Sequence, residues 1–336
     1  MLTTLPFERT KHLEPASVLL AERHARDRER DPRLPAAYDV PEACRAVIEQ
    51  ALDDMLATGV VAKDGDDIVG FAIGSTQVFP QTHFLASFFP LRGLSIGHSA
   101  HAAAPGREHD VYRQMYGALA DHFVALGYFD HTIHVSASDD AIVQAMFTLG
   151  FGRSMAAAVR GVDPTEKPAA DVEVHQASAE DAEVVNRLAE ELTLHHARSP
   201  IFNPFIRESD PAAHEMQAGL LAAADENAHW VAYENGRAVG MNTFMPATFL
   251  APLTLPEKTI YLFQGIVTQD ARAGGVGTAI LSKGIEWARE KGYDHVALHF
   301  ASANIQGARF WLGSGFIPVE FGLRRRIDDR IAWANR

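Results

Sequence analysis

The sequence predicts an α/β protein made of two tandem copies of one unit. Three observations carry this: runs of strand period alternate with runs of helix period, three blocks of the first half recur in order in the second, and a Pro/Ala/Asp-rich stretch separates them. "LAERHARDRERDP" (20–32) lies without a gap on "LAEELTLHHARSP" (188–200), Leu20, Ala21, Glu22, Arg30 and Pro32 matching Leu188, Ala189, Glu190, Arg198 and Pro200 at an offset of 168. "VVAKDGDDIVG" (60–70) matches "WVAYENGRAVG" (230–240) at an offset of 170, and both read as a hairpin around a polar glycine turn. "LGYFDHTIHVSASDDAIVQAMFTLGF" (126–151) matches "KGYDHVALHFASANIQGARFWLGSGF" (291–316), with Gly150-Phe151 on Gly315-Phe316 at an offset of 165. The separating stretch, "GVDPTEKPAADVE" (161–173), divides the chain into units 1–163 and 175–336, with 164–174 as the linker.

Each unit is expected to run helix, helix, hairpin, strand, glycine-led helix, strand, short helix, strand. In the second copy "TIYLFQGIV" (259–267) reads as the strand before the glycines. Val276, Ile280, Leu281, Ile285 and Ala288 then recur at helical spacing and make one apolar stripe. Gly292 closes that helix, "HVALHF" (295–300) alternates as a strand, Asn304 starts a short helix, and Gly315-Phe316 leads into the last strand.

The glycines of "QDARAGGVGTA" (269–279) sit at the first turn of the apolar helix. A first turn has backbone N–H groups without helical partners and the positive end of the helix dipole, so side-chain-free residues there admit an anion. A P-loop would need Lys-Ser/Thr after the last glycine, whereas Thr278 and Ala279 follow Gly277. A dinucleotide fingerprint would need a third glycine at its own spacing, which Gly275 and Gly277 lack.

What fits is Arg272-x-x-Gly275-x-Gly277 between a strand and a helix, followed by Asn304, Ala308-Arg309-Phe310 and Gly315-Phe316. In these motifs, spanning 259–316, the chain resembles the GCN5-related N-acetyltransferase (GNAT) family. The resemblance implies α/β (α+β) units, each with a mixed, mostly antiparallel twisted sheet flanked by helices. It implies acetyl-coenzyme A as co-substrate, held in the opening between the fourth and fifth strands. The residues it assigns to the coenzyme are Ile266, Val267, Arg272, Ala273, Gly274, Gly275, Val276, Gly277, Thr278, Asn304, Phe310 and Trp311, with backbone amides at Ile266 and Val267 for the thioester oxygen.

The first copy departs from this motif. Arg107, Asp110 and Tyr112 stand at the positions of Arg272, Gly275 and Gly277, and a carboxylate and a bulky ring at a helix start would repel and block a pyrophosphate. The N-terminal copy is therefore expected to be degenerate for coenzyme, packing against the active copy and walling the acceptor site, or else binding an effector.

The second copy departs too. Where many members place a tyrosine that can protonate the departing thiolate, this chain has Trp311, whose N–H has no useful acidity. The acid is then missing, supplied by water or taken over elsewhere. Simple alternation puts Tyr261, Phe263, Gly265 and Val267 on one strand face and Leu262, Gln264 and Ile266 on the other. Tyr261, the candidate catalytic side chain, matches a position where some members carry a carboxylate base. At about pKa 10 a tyrosine is a poor base, so steering a water or shaping the pocket is the alternative role. His299 is expected to be packed or exposed. His195, His196, Glu320 and the Pro-interrupted segment 244–258 are candidates to border the acceptor. "LRRRID" (323–328) reads as solvated charge on an edge strand rather than a nucleic-acid contact.

Composition agrees with a soluble globular protein of two ordinary domains: 336 residues, 47% hydrophobic, 22% charged. Cys44 is the single cysteine, which excludes an internal disulfide and points to a reducing compartment. No apolar run approaches the roughly 18 residues of a membrane helix, and the start has no signal-like core, so a cytoplasmic protein without membrane contact is expected. A net charge of −13 speaks against nucleic acid. The sixteen histidines lack metal-site spacing, and no metal is expected. The function expected is acetyl-coenzyme A-dependent N-acetyl transfer to a small-molecule amine by direct attack in the second copy, in a monomer or homodimer. A non-catalytic acyl-coenzyme A binding or sensor module is the alternative.

Overall fold

The alternating runs and apolar stripes become one repeated succession of elements. In the computed structural model, which describes residues 1–164, 170–248 and 250–334, the first half runs β1 (Leu2–Pro6), α1 (Arg9–Arg30), α2 (Pro41–Asp53), β2 (Thr58–Asp64), β3 (Asp67–Val78), β4 (Arg92–Ile96), β5 (His101–Ala103), α3 (Glu108–Ala125), β6 (Asp130–Ser136), α4 (Asp140–Thr148) and β7 (Gly152–Gly161). The second half runs β8 (Glu173–Gln176), α5 (Ala182–His196), α6 (Asp210–Ala222), β9 (Ala228–Glu234), β10 (Arg237–Pro246), β11 (Thr259–Val267), α7 (Val276–Glu290), β12 (His295–Ala301), α8 (Ile305–Gly313) and β13 (Ile317–Arg326), with a short α9 (Ile331–Ala334) behind it.

Three strands were not anticipated, one of them the three-residue β5 that pairs with β3. β1 and β8 open the halves as short sheet edges with no fully buried side chain, so no alternation marks them. β8 takes up Glu173 and Val174 from the stretch read as linker, whose residues 165–169 lie outside the described ones.

All strands belong to one sheet in the order β1-β2-β3-β4-β6-β13-β7-β12-β11-β10-β9-β8, with β5 beside β3. Its two described parallel pairs, β4 with β6 and β11 with β12, are related by the repeat. At the centre the final strands are exchanged: β13 pairs with β6 of the first half, and β7 pairs with β12 of the second. The two exchanged strands then pair with each other, Phe321 opposite Ala156. Each half-sheet is thus completed by the other half's last strand.

This exchange corrects the edge-strand reading of "LRRRID". Leu323 is fully buried, Arg324 forms a two-pronged ion pair with Asp130 on β6, and Arg325 sits over the Tyr116 ring at 5.8 Å. Only Arg326 of the three arginines is fully exposed.

Helices cover both faces. In the second half α7 and α8 bury Leu281, Ile285 and Trp311 against Ile260, Leu262 and Leu298, while α5 and α6 bury Val185, Leu188 and Leu221 against Val231 and Met241. Each such aliphatic side chain stabilises the fold by about 1.5–3 kcal/mol. The first half repeats the arrangement, with Met115, Leu119 and Phe123 of α3 on one face and Leu13, Leu20 and Ile48 on the other.

Candidate active site

The geometry of the site begins with one extra residue in β11. Thr243 faces Gln264, but the next residue, Phe244, faces Leu262, so Phe263 is a bulge and side-chain alternation changes face there. Ile260 and Leu262 pack toward α7, and after the bulge Gly265 and Val267 return to that side: a Cβ on Gly265 would lie 2.8 Å from the Trp311 ring. Tyr261 packs instead with Leu34, Ala157 and Leu250, and Ile266 with Val185 and Leu188. The uninterrupted alternation that grouped Tyr261 with Gly265 and Val267 is therefore wrong.

Past the bulge the sheet opens. β11 and β12 pair only from Thr259 opposite His295 to Leu262 opposite Leu298, and beyond that β11 follows β10 to Val267 while β12 follows β7. The backbone parity of this stretch is fixed by the Thr268 amide, which donates to Val239 O at 2.8 Å. Hydrogen-bonded and open pairs alternate along an antiparallel ladder, so the Ile266 amide is turned to Met241 on β10 and the Val267 amide into the opening. Of the two amides expected for the thioester oxygen, Ile266 is thus committed to the sheet.

At the mouth, Gly275 caps α7 with φ +88°, a left-handed conformation that glycine adopts without strain, and Ala273 before it has φ +66°. The first intrahelical bond described is Ala279 N–H to Gly275 O, which leaves the amides of Val276, Gly277 and Thr278 at the positive end of the helix. Arg272 holds the loop: Nε donates to Val267 O at 2.9 Å, Nη1 to Gln306 Oε1 at 2.8 Å, and Nη2 lies 3.5 Å from His195 Nδ1. Gly277 keeps open the space against Phe310, whose ring a Cβ would approach to 3.2 Å. Asn304 is spent on its own helix, its Oδ1 accepting from Gly307 N–H at 3.0 Å.

A cavity of about 990 Å³ fills the opening. Of the residues expected to hold coenzyme, all border it except Gly274. Its far end is walled from both halves. Phe84, Phe88 and Phe89 come from the segment after β3, and Ile201, Phe205 and Met216 from the region of α5 and α6. The Ile206 amide donates to Ser87 Oγ at 3.0 Å and joins the two walls. His195 and His196 border the cavity; burial lowers the His196 pKa to about 4. No described residue of 244–258 borders it. That segment's leucines are anchors instead, Leu250 beside Leu34 and Leu253 in the core of the first half with Cys44 and Phe71.

Tyr261 borders the cavity, and its hydroxyl lies 2.8 Å from His299 Nδ1. Burial raises the tyrosine pKa far above normal and lowers that of His299 to about 4, so neither is a base for an amine at neutral pH. His299 was expected to be an ordinary packed or exposed residue, yet it too lines the cavity. Glu320 lies behind the wall rather than in it, with Oε1 2.8 Å from Nδ1 of His134, a cavity residue that the sequence reading did not single out.

The equivalent opening in the first half is filled. Arg23 reaches in from α1 and donates to His101 O at 2.6 Å and His98 O at 2.9 Å. Tyr112 meets His101 Nδ1 at 2.6 Å, and the other His101 nitrogen reaches His134 O on β6 at 2.8 Å. Tyr112 is therefore core, not an obstruction at the helix start: α3 begins at Glu108, ahead of the aligned position, and its first turn carries the acidic Glu108 and Asp110. Arg107, its N-cap, pairs with Asp64 at 2.9 Å.

Residues 192–316 match the model of the acetyltransferase (GNAT) family. Among solved structures, the chain is similar to a GCN5-related N-acetyltransferase from Sphaerobacter thermophilus, with 14% identity, a TM-score of 0.56, and coverage of 97% of this chain and 95% of that one. A tandem GNAT protein from the clavulanic acid biosynthesis pathway matches at 13% identity and TM-score 0.51, covering 97% and 98%. A fungal multi-domain GH3 β-N-acetylglucosaminidase with a GCN5-related glucosamine N-acetyltransferase region matches at 13% identity and TM-score 0.56; this chain covers 38% of its length. These likenesses concern the fold. No curated protein matches by sequence.

Proposed function

We propose that this chain, whose residues 192–316 carry an acetyltransferase domain of the GNAT family, transfers an acetyl group from acetyl-coenzyme A to the amine of a small molecule. In this reading, copies 1–163 and 175–336 are joined by 164–174, and only the second copy holds coenzyme. The observation that carries it is the contrast between the two related openings: one lined by Gly275, Gly277 and an unobstructed helix start, the other filled by Arg23, His101 and Tyr112.

The residues present fit the coenzyme. First-turn amides of α7 meet the pyrophosphate, with Arg272 holding the loop in shape. Phe310 and Trp311 line the wall beside Gly277 and Gly265. When bound, the thioester supplies an activated acetyl carbon and a thiol leaving group. The Val267 N–H, turned into the opening, would donate to the acetyl oxygen as negative charge develops on it, a preorganised dipole worth about 10²–10³ in rate. Thiolate departure proceeds without a tyrosine, since a thiol of pKa near 8.5 leaves readily when backbone dipoles surround it. The phenylalanine-rich far wall favours an acceptor with an apolar or aromatic body. Among the described residues no helix is long and apolar enough to cross a membrane.

Release of coenzyme A thiol from acetyl-coenzyme A across a panel of aryl-alkyl and aliphatic amines tests the reading. Amine-dependent release with acetylated product supports it; coenzyme binding without transfer to any amine would instead support the acyl-coenzyme A binding or sensor module.

A further inference from the structure

Five histidines border the cavity: His134, His195, His196, His214 and His299. Among the described residues, His134 is the one of these hydrogen-bonded to a carboxylate, Nδ1 to Glu320 Oε1 at 2.8 Å. The pair is built by the strand exchange. Glu320 is on β13, two residues along from Gly322, which faces His134 on β6, so glutamate and histidine lie on one face of neighbouring strands contributed by different halves. Across β7 the same row continues, Glu320 opposite Ala157 and Ala157 opposite His299. The small methyl of Ala157 separates the two polar groups. One polar row thus runs Tyr261, His299, Glu320, His134 across the floor between the halves.

Glu320 is an expensive residue in this position. It is 5% exposed, and its second oxygen, Oε2, lies 3.4 Å from His98 Nδ1. A carboxylate so deeply buried is retained at a cost unless its charge is used.

Resting on the acetyltransferase reading, we propose that His134 is the proton acceptor of the transfer and that Glu320, delivered by the exchanged strand, is its positioning residue. Glu320 accepts the Nδ1 proton and fixes the tautomer with Nε2 unprotonated. The amine nitrogen attacks the acetyl carbon, the C–N bond forms, Nε2 takes the amine proton directly or through one water, and the C–S bond breaks. The proton then passes to the departing thiolate, so the thiol leaves and the imidazole is neutral again. The half that cannot hold coenzyme in this way supplies the base.

The charges around His134 agree with this role. Burial works against its charged form, but the charge of Glu320 and the hydrogen bond to it outweigh burial and raise the pKa above the ordinary histidine value. The other groups facing the pair are His98 and His101, both kept neutral chiefly by burial, Arg23 behind them, and His299 across Ala157. Arg153 and Arg324 also border the cavity, one lying over the Phe321 ring and the other paired with Asp130.

Two measurements on the full chain decide the proposal. In histidine ring NMR, assigned by loss of the signal in His134→Gln, His134 should titrate above about 6.5 and move down in Glu320→Gln. A ring that titrates at or below the ordinary value, or one indifferent to Glu320→Gln, overturns the dyad. With 2-phenylethylamine and acetyl-coenzyme A, His134→Gln should lose about 10²–10⁴ in kcat at neutral pH, the range of general base catalysis, with coenzyme Kd unchanged as the check on folding. Glu320→Gln should lose less and shift the acidic limb of the rate profile, where His134 loses its proton, to lower pH. A His134→Gln enzyme with the parent rate and profile overturns the proposal. Failure of the parent to bind acetyl-coenzyme A would overturn the transferase reading instead, and the ring titration would still decide the dyad.

Discussion

Replacing Gly275 by glutamate separates the two jobs of that residue, conformation and access. The φ of +88° makes any side chain there strained, which costs about 1–2 kcal/mol of stability whether the residue is alanine or glutamate. Glutamate adds a charge at the amides of Val276, Gly277 and Thr278. A carboxylate roughly 6 Å from a pyrophosphate charge at an effective dielectric of about 20 costs roughly 3 kcal/mol, or about a hundredfold in Kd. Calorimetry with acetyl-coenzyme A should show Gly275→Ala within a few-fold of the parent and Gly275→Glu weakened about a hundredfold or more. Thermal melts should show both lowered by similar amounts. Because the added penalty is electrostatic, part of it should be recovered at high salt. Equal affinity of the two variants would refute the assignment of this helix start to the pyrophosphate.

Trp311→Tyr, placed against Gly265 and between Phe310 and Phe316, should leave coenzyme affinity within a few-fold and change turnover only modestly; a gain near a hundredfold would show that the site lacks an acid it could use. Val267→Pro removes an amide turned into the opening without removing a ladder bond, so kcat should fall about 10²–10³ with coenzyme Kd kept, and an unchanged kcat would contradict the parity derived for β11. Arg23→Met breaks the buried plug and removes the buried one of the two arginines paired with Asp27, leaving the half-exposed Arg30; unfolding free energy should drop by about 3 kcal/mol in denaturant titrations, with no second coenzyme site appearing. His196, His229 and His299 have pKa values lowered to about 4 by burial, so the unfolded chain binds more protons than the folded one below about 6.5. Their contribution to stability is complete above that pH and is lost as pH falls toward 4, by about 1.4 kcal/mol per unit for each group, readable as a steepening fall in the denaturation midpoint.

The repeat and the coenzyme end of the site were legible because they rest on local pattern. The stripe of α7, the glycines at its start, the alternation of β12 and the cap at Asn304 each lie within one element, and each folds as its pattern says. The acceptor end was not legible, for reasons of range. β7 and β13 are related by the repeat, so nothing in their sequences distinguishes pairing within a half from pairing across halves, and the exchange decides whether Arg324 is at an edge or in the middle. The bulge at Phe263 is one residue whose only sign is the register of its partner strand, and it moves Tyr261 to the opposite face. His134 and Glu320 are 186 residues apart and meet only because of the exchange. Tyr112 reads as an obstruction in an alignment and as core in the fold, since α3 starts a turn earlier than α7.

In the proposed function two related openings have different fates, one holding acetyl-coenzyme A and the other closed by its own side chains. Titration calorimetry of the full chain with acetyl-coenzyme A tests it most directly. One site per chain is expected, lost in Gly275→Glu and untouched by Tyr112→Phe. Two equivalent sites, or a single site that survives Gly275→Glu, would contradict it.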